Sequence, residues 1–297
     1  MEVINSIKLM QEISESIRNS GKKIAVVPTM GYLHMGHLSL INKAKEIADI
    51  VITTLFVNPT QFGPNEDYDK YPRDFNRDFE LTKNNGSNYL FYPDTKEMYP
   101  INFSTCVEIS RITEKFEGAF RPGHFKGVAT VVAKLFNITK PHYAIFGQKD
   151  YQQTLVIKRL VEDLNFNIEI IIAPTIRDYD GLALSSRNTY LSTSEREKAG
   201  ILFKAIETVK SEIAKGQRER LILNSYLHKT LRQIPEIKID YASCVIANTL
   251  EEPEFFLPGD EVVILIACYL GKTRLIDNSI IKIPYSLNES NFKEDYI

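Results

Sequence analysis

Two histidines, His34 and His37, are the side chains of this sequence whose type and spacing best suit chemistry. They occupy the segment His34-Met-Gly-His37, between an apolar run at residues 24–27 and apolar residues at helical spacing from Leu38 onward. A helix N-terminus attracts anions, because its free N–H groups and its dipole face the ligand. Gly36 allows the backbone to approach such a ligand closely. The pattern predicts a phosphate-binding turn; the alternative is that these histidines only cap the helix.

Two further clusters carry groups that bind phosphate. Lys149 and Asp150 stand between a predicted strand and a predicted helix, where a lysine can neutralise phosphate oxygens. Asp150 suits a ribose hydroxyl and a helix cap equally well. Ser185, Ser186 and Arg187 combine hydroxyls with a guanidinium, a set that grips phosphate through charge-assisted hydrogen bonds. An ordinary serine-rich turn is the alternative for this second cluster.

Side-chain amides at predicted strand and helix ends form a weaker group. Asn58, Gln61 and Gln153 can bind hydroxyls and carboxylates, but a single glutamine is most often solvated surface. Residues 117–124 combine charges with glycines and a proline, which predicts a shaped loop stabilised by a salt bridge. The aspartates and arginines of residues 67–78 predict a solvated helix face in preference to a metal site.

Composition excludes several classes of protein. With 36 basic against 38 acidic residues, the net charge is −2, so no basic excess supports binding to nucleic acid. The three cysteines form no C-x-x-C pair, which argues against a zinc site and for reduced thiols in the cytosol. The apolar runs are too short to span a bilayer, and residues 4–17 predict an amphipathic helix instead of a signal peptide. We therefore expect a cytoplasmic protein without nucleic-acid or membrane partners.

Alternating strand and helix patterns predict an α/β fold with a doubly wound, Rossmann-like parallel sheet in residues 1–175. A smaller α+β domain is predicted for residues 176–297, with a linker inside residues 173–187 and a frayed terminus at residues 286–297. Ligands of such sheets gather beyond the carboxyl ends of the strands, where the candidate residues fall. The predicted strands are 24–27, 50–57, 89–92, 142–146, 168–173, 240–246 and 262–270; the predicted helices include 79–83, 128–138, 152–164, 194–215 and 219–233.

Eight segments, in the same order along nearly the whole chain, resemble the pantoate–β-alanine ligase family. The H-x-G-H segment alone is shared with a wider superfamily of nucleotidyltransferases, but the whole set is specific. The segments are Val27-Pro-Thr-Met-Gly31, His34-Met-Gly-His37, Phe56-Val-Asn-Pro-Thr-Gln-Phe62, Tyr71-Pro-Arg73, Glu117-Gly-Ala-Phe-Arg-Pro-Gly-His124, Phe146-Gly-Gln-Lys-Asp-Tyr-Gln-Gln153, Asp180-Gly-Leu-Ala-Leu-Ser-Ser-Arg-Asn188 and Arg274-Leu-Ile-Asp-Asn278.

The resemblance implies an ATP-dependent ligase that works in two steps. The carboxylate of pantoate would attack the α-phosphorus of ATP, giving pantoyl adenylate and pyrophosphate. The amine of β-alanine would then attack the acyl carbon, giving pantothenate and AMP. No covalent enzyme intermediate is needed, so catalysis rests on positioning and charge stabilisation. Magnesium accompanying ATP and a homodimer are further implications of the family.

The resemblance also assigns roles to residues, with no metal ligand among them. His37 is implied as proton donor, and the other catalytic residues are His34, Lys149, Ser185, Ser186 and Arg187. Pantoate is assigned to Gln61 and Gln153, and β-alanine to Asn58 and Gln61. The ATP-binding set is Met30, Gly31, Tyr32, Leu33, His34, Met35, Gly36, His37, Gly147, Gln148, Lys149, Asp150, Ile176, Leu184, Ser185, Ser186 and Arg187.

Two positions depart from the family pattern. Members commonly carry Met where Thr60 stands and Glu where Gln148 stands, although neither position is assigned to the chemistry. Arg77 also interrupts the place where an acidic metal pair would fall.

Three other functions are compatible with the turn that contains His34 and His37. They are a nucleotidyltransferase that leaves the nucleotide on its product, a class I aminoacyl-tRNA synthetase, and an inactive adenylate-binding regulator. The missing basic surplus argues against the synthetase, and the intact site residues argue against the regulator.

Overall fold

The computed structural model describes residues 1–64 and 66–285, which form two compact units. The first unit comprises Met1–Ile176 and Leu184–Ser186. The second comprises Arg177–Ala183 and Arg187–Ile297, of which residues up to 285 are described. The predicted fraying of residues 286–297 therefore concerns a stretch outside the described residues.

The first unit contains a six-stranded parallel sheet with strand order β1-β4-β3-β2-β5-β6. Helices surround it, so the predicted doubly wound α/β fold is confirmed. The strands are β1 (Glu2–Ile4), β2 (Ile24–Thr29), β3 (Ile50–Leu55), β4 (Tyr89–Phe91), β5 (Tyr143–Gly147) and β6 (Glu169–Ala173). The helices are α1 (Ile7–Asn19), α2 (Met35–Ile47), α3 (Phe75–Asn84), α4 (Thr95–Met98), α5 (Glu117–Phe120), α6 (His124–Thr139) and α7 (Tyr151–Asp163), with 3-10 turns at Pro59–Gln61 and Gln148–Asp150. A third 3-10 turn, Ser186–Tyr190, begins at the last residue of this unit and continues in the second.

The central strand β2 explains why the sheet is built this way. Residues 24–27 are apolar and fully buried, because helices cover both faces of a doubly wound sheet. On one face α2 packs Ile41 and Ala44 against the strand, and on the other α1 and α6 contribute Met10 and Phe136 to the core. The chain leaves β2 toward β3 on one side, whereas β5 lies on the other side. Such a reversal opens a crevice at the carboxyl ends of β2 and β5, where ligands bind in folds of this class.

The second unit packs helices on a three-stranded antiparallel sheet. Its elements are α8 (Thr193–Ala199), α9 (Ile201–Ala214), α10 (Arg220–Leu231), β7 (Ile237–Ile246), β8 (Glu261–Leu270) and β9 (Thr273–Lys282). Leu202, Ile206 and Val209 of α9 meet Leu227 of α10 and Ile264 of β8 in one buried cluster. None of the helices in the described part of the chain is long and apolar enough to cross a membrane.

Several element predictions need correction. The helix predicted over residues 194–215 is two helices, because the chain breaks at Gly200, which lies against Asp180: a Cβ there would be 3.0 Å from its carbonyl oxygen. The strands β1 and β9 were not predicted, since β1 is very short and polar residues interrupt the apolar pattern of β9. The shaped loop at residues 117–124 contains the short helix α5 and the first residue of α6.

The start of α6 lies directly against the 3-10 turn at Pro59–Gln61. A Cβ on Gly127 would be 2.3 Å from the carbonyl oxygen of Thr60 and 2.6 Å from the backbone nitrogen of Gln61. The carbonyl oxygen of Gly127 accepts a hydrogen bond of 3.2 Å from Asn58 Nδ2. Only glycine permits this approach of two backbones.

We expect Gly127→Ala to lower the free energy of unfolding by about 1–3 kcal/mol, the usual cost of overpacking a close contact. Urea denaturation measures the change. Lys126→Ala, on an exposed position of the same helix, is the control and should stay within about 0.5 kcal/mol of wild type. A Gly127→Ala protein as stable as this control would contradict the proposed contact.

Candidate active site

The two histidines cap α2 through one ring nitrogen each. His34 is the N-cap residue, and its Nδ1 accepts the N–H of Gly36 at 3.2 Å. The Nδ1 of His37 accepts the N–H of His34 at 3.3 Å, and the ring centroids lie 4.1 Å apart. A neutral imidazole whose Nδ1 accepts a hydrogen bond carries its proton on Nε2. The capping role and the phosphate-binding role are therefore compatible, because capping leaves an Nε2–H donor on each ring.

Both imidazoles are neutral at neutral pH. Burial lowers the pKa of His34 to about 3, helped by the neighbouring His37 and by the positive charge of Lys149. Burial and Lys149 likewise lower the pKa of His37 to about 4. β2 and β5 pair in parallel, so the turn after β5, which carries Lys149, lies beside the turn after β2. The site therefore combines a cation with two uncharged N–H donors.

Gly36 is required by the turn of residues 30–37, which we call the histidine turn. A Cβ at this position would lie 2.9 Å from Nδ1 and Cε1 of His34, whose ring folds back over the helix start. The sequence predicts that Gly36 allows the close approach of a ligand. In the structure, the group closest to the missing Cβ of Gly36 is the ring of His34.

Asp78 is a site residue that the sequence analysis missed. Its aspartate run was predicted to be a solvated helix face, but Asp78 is only 1% exposed, in the first turn of α3. Its two carboxylate oxygens accept the N–H groups of Tyr32 and Leu33, at 2.7 and 2.8 Å. The prediction for this position is wrong because α3 packs Asp78 against the turn. No local pattern signals that contact.

The turn needs such support because its backbone is strained. Gly31 and Tyr32 have φ values of 88° and 50°, and the second lies in a region that non-glycine residues rarely adopt. In this turn the N–H groups of Tyr32 and Leu33 converge on Asp78, which supplies the anion. Arg77 adds a cation–π contact, 5.0 Å from the centre of the Tyr32 ring. Burial raises the pKa of Asp78, while the two backbone hydrogen bonds oppose that rise.

Lys149 and Asp150 lie in the 3-10 turn between β5 and α7. Lys149 Nζ is 3.5 Å from Asp150 Oδ1, and both side chains retain exposure. Asp150 stands at the N-cap position of α7. Within residues 1–64 and 66–285 its carboxylate accepts no capping hydrogen bond, so the helix-cap alternative is wrong for this side chain.

The serine cluster is brought to the histidine turn in part. Leu184 N–H donates to the carbonyl of Ile176 at 3.0 Å. The hydroxyl of the buried Ser186 donates to the carbonyl of Tyr32 at 3.2 Å. Ser185 lies between them in the first unit, whereas Arg187 belongs to the second unit.

The adjacent glutamines Gln152 and Gln153 have different roles. Gln152 is buried, and its amide nitrogen donates to the carbonyls of Ile112 and Lys115. Gln153 is half-buried, and its amide makes no hydrogen bond with the described residues. Only Gln153 is therefore open to a ligand.

Gln61 is anchored on three sides. Its Oε1 accepts from Asn58, and its Nε2 lies 3.0 Å from the sulfur of Met30 in the histidine turn. Its carbonyl oxygen lies 2.9 Å from Nδ1 of the buried His124. Arg121 donates to the other nitrogen of that ring at 3.1 Å, so Nδ1 carries the proton and donates to Gln61.

The predicted salt bridge in residues 117–124 is confirmed. Arg121 pairs with Glu117 at 3.6 Å and binds both carboxylate oxygens of Glu66 at 2.7 Å. This network supports His124, whose pKa falls to about 4, first because of burial and then because of Arg121. The loop thus holds Gln61 without taking part in the site directly.

Nucleotides bind in the crevice of doubly wound sheets, and here the crevice presents imidazole and ammonium donors in place of a glycine-rich loop. The first unit thus has the fold of the doubly wound nucleotide-binding domains. A family model for pantoate–β-alanine ligase matches residues 2–280. The pantothenate synthetase of Thermoanaerobacter pseudethanolicus is 51% identical over 278 residues, covering 94% of this chain and 98% of the relative. That of Caldicellulosiruptor saccharolyticus is 50% identical, with coverage of 95% and 100%.

Solved structures agree with this assignment. Pantothenate synthetase from Thermus thermophilus superposes with a TM-score of 0.88 at 41% identity, covering 96% of this chain and 100% of that chain. Pantoate–β-alanine ligase from Francisella tularensis, complexed with β,γ-ATP and β-alanine, gives a TM-score of 0.77 at 38% identity, with coverage of 94% and 97%. The chain belongs to the pantoate–β-alanine ligase family.

We expect Asp78→Ala to raise the KM for ATP about 10- to 100-fold and to cost about 2–4 kcal/mol of stability, because two buried N–H groups lose a charged acceptor. Asp78→Asn, which keeps one oxygen, should fall between this variant and wild type. Steady-state kinetics and urea denaturation measure both effects. Glu80→Ala, at an exposed position of the same helix, is the matched control and should leave the KM for ATP unchanged. An unchanged KM in Asp78→Ala would refute the holding role.

The depressed pKa of His124 predicts a pH-dependent stability. Its pKa of about 4 in the folded state lies below its ordinary value of 6.5, so only the unfolded chain takes up this proton in between. Stability from this group is complete above pH 6.5 and is lost as pH falls toward about 4. His124→Asn should therefore flatten the decline of the free energy of unfolding in this window by up to about 1.4 kcal/mol per pH unit. Urea denaturation across the window gives both slopes, and equal slopes would contradict the account.

Proposed function

We propose that the first unit of this ligase activates pantoate with ATP at the turn formed by residues 30–37. The pantoate carboxylate attacks the α-phosphorus, and pyrophosphate leaves with the electron pair of the broken P–O bond. The amine of β-alanine then attacks the acyl carbon, AMP leaves, and the nitrogen loses a proton. The observation that carries the proposal is the pair of Nε2–H donors beside Lys149 at the sheet crevice.

The proposed catalytic roles follow from these donors. His34 and His37 donate hydrogen bonds to phosphate oxygens, and Lys149 neutralises charge that develops as pyrophosphate leaves. The pKa of His37 is about 4, because burial and Lys149 disfavour its cation. Phosphate anions in the site oppose both effects, so nucleotide binding raises that pKa and favours His37 as the proton donor to pyrophosphate.

The remaining nucleotide contacts are proposed from the family pattern and the local geometry. Asp150 suits the ribose, since its carboxylate is partly exposed and does not cap α7. Ser186 is already hydrogen-bonded to the turn, which supports a role beside the phosphates for its segment. Ser185 and Arg187 are proposed as further phosphate ligands. The other proposed ATP contacts are Met30, Gly31, Tyr32, Leu33, Met35, Gly36, Gly147, Gln148, Ile176 and Leu184.

Pantoate is proposed to bind Gln61 and Gln153, whose amide nitrogens have a weak acceptor or none among the described residues. Gln61 is also proposed to contact β-alanine. Asn58 was predicted to share that contact, but its side chain is only 1% exposed and its amide is already fully hydrogen-bonded. We propose that Asn58 acts by holding Gln61.

Magnesium is proposed to accompany ATP as part of the substrate. No group of three or more His, Cys, Asp or Glu residues suited to a metal occurs in the described ranges, so phosphate oxygens and water would supply most of its ligands. Gln148, where the family commonly carries Glu, leaves Asp150 as the carboxylate beside Lys149. A homodimer is proposed on the family resemblance, and a cytoplasmic location on the cysteine and apolar patterns of the sequence.

Exchange of labelled pyrophosphate into ATP tests this function. Exchange should require pantoate, and AMP should appear only when β-alanine is added; a nucleotidyltransferase would keep the nucleotide on its product. His34→Ala and His37→Ala should each slow exchange by about 10²–10³-fold, the usual cost of one preorganised donor. His228→Ala, in the second unit, is the control and should exchange normally. Absence of pantoate-dependent exchange in wild type, or near-normal rates in both site variants, would overturn the proposal.

A further inference from the structure

Tyr99, just after α4, sends its hydroxyl into the amide cluster near the proposed pantoate site. The hydroxyl donates to Oδ1 of Asn58 at 2.8 Å. The ring is half-buried against Phe56 and Phe103, with centroid distances of 6.2 and 5.0 Å. Burial raises the pKa of Tyr99, so the phenol stays protonated and remains a donor at neutral pH. Nothing in the assigned roles accounts for this tyrosine.

Every hydrogen-bonding position of the Asn58 amide is used. Besides Tyr99, Oδ1 accepts the hydroxyl of Thr60 at 3.0 Å and the N–H of Thr60 at 3.3 Å. Nδ2 donates to the carbonyl of Gly127 at 3.2 Å and to Oε1 of Gln61 at 3.1 Å. Rotating this amide by 180° would set its NH2 group against the N–H of Thr60 and its oxygen against the carbonyl of Gly127 and Oε1 of Gln61, whereas the two hydroxyls could turn and accept. The network therefore fixes which end of the Asn58 amide faces Gln61.

The fixed amide of Asn58 also fixes the amide of Gln61. Nδ2 of Asn58 donates a hydrogen bond to Oε1 of Gln61. The group of Gln61 that remains for a ligand is therefore its Nε2 donor. That donor has only the weakly accepting sulfur of Met30 at 3.0 Å among the described residues. A carboxylate or hydroxyl oxygen of a substrate can replace the sulfur, whereas a flipped Gln61 would present an oxygen and repel a carboxylate.

We propose that Tyr99 and Thr60 are positioning residues that hold Gln61 with its N–H donor toward pantoate. The tyrosine and threonine hydroxyls act through Asn58 and need not contact the substrate. This inference rests on the proposed binding of pantoate at Gln61. It gives a role to Thr60, where members of the family commonly carry a methionine without a hydroxyl.

The two hydroxyls act on the same atom, so their effects should be more than additive. Removing one leaves two donors on Oδ1 of Asn58, which still hold the amide in its position. Removing both leaves only the N–H of Thr60, at 3.3 Å, on this oxygen, so the Asn58 side chain can leave its position and no longer holds Gln61. We expect Tyr99→Phe and the isosteric Thr60→Val each to raise the KM for pantoate about 2- to 5-fold, roughly the worth of one hydrogen bond. The double variant should raise it about 30-fold or more, beyond the product of the single effects.

Pyrophosphate exchange with varied pantoate and varied ATP tests the inference. The expected result is a higher KM for pantoate with an unchanged KM for ATP. In a Gln61→Ala background, Tyr99→Phe should have no further effect, because no amide remains to be oriented. Tyr92→Phe is the matched control: it removes the hydroxyl of an exposed tyrosine in the same unit and should leave both constants unchanged.

Three results would overturn the inference. They are an unchanged KM for pantoate in the double variant, an equal rise in the KM for ATP, or the same effect of Tyr99→Phe with and without Gln61. Each of these leaves the proposed function intact, because wild type still exchanges. If wild type shows no pantoate-dependent exchange, the proposed function fails and the inference falls with it.

Discussion

The carboxylate of Asp78 accepts the N–H groups of Tyr32 and Leu33, and this contact sets the path of the chain from β2 into α2. The backbone at Tyr32 is strained, so a buried anion is needed to hold it. Once the turn is held, His34 falls at the N-cap of α2 and the two rings cap the helix through Nδ1. The positions of both Nε2–H donors therefore depend on a residue that lies 45 positions from Leu33 in sequence.

Gln61, in the other half of the candidate site, also depends on supporting residues. Gln61 is oriented by Asn58, and its backbone carbonyl accepts a hydrogen bond from His124, while glycine at position 127 lets α6 approach. These supporting groups are buried and hydrogen-bonded, so they hold the orientation of Gln61 before any substrate binds. The side chains of Lys149 and Asp150, after β5, keep some exposure. A rigid support beneath a few open donors suits catalysis by positioning and charge stabilisation.

The sequence predicts the first unit well where the signal is local. Buried apolar strands alternating with helices give the parallel sheet, and the histidine turn is recognisable from its spacing. Asp78 could not be predicted, because its burial depends on how α3 packs against a turn far away in sequence. The adjacent Gln152 and Gln153 look alike in sequence, and only the helix orientation separates the structural amide from the open one. In the second unit, β9 could not be predicted, because polar residues such as Asp277 and Asn278 interrupt its apolar pattern.

The protonation state of the two histidines tests the central claim most directly. In protein labelled with ¹⁵N-histidine, nitrogen chemical shifts distinguish Nδ1–H, Nε2–H and the doubly protonated ring, and single-histidine variants assign the signals. The account predicts neutral rings protonated on Nε2 for both His34 and His37, from neutral pH down to about pH 5, because their pKa values lie at about 3 and about 4. An Nδ1–H tautomer for either residue, or an imidazolium near pH 6.5, would contradict it.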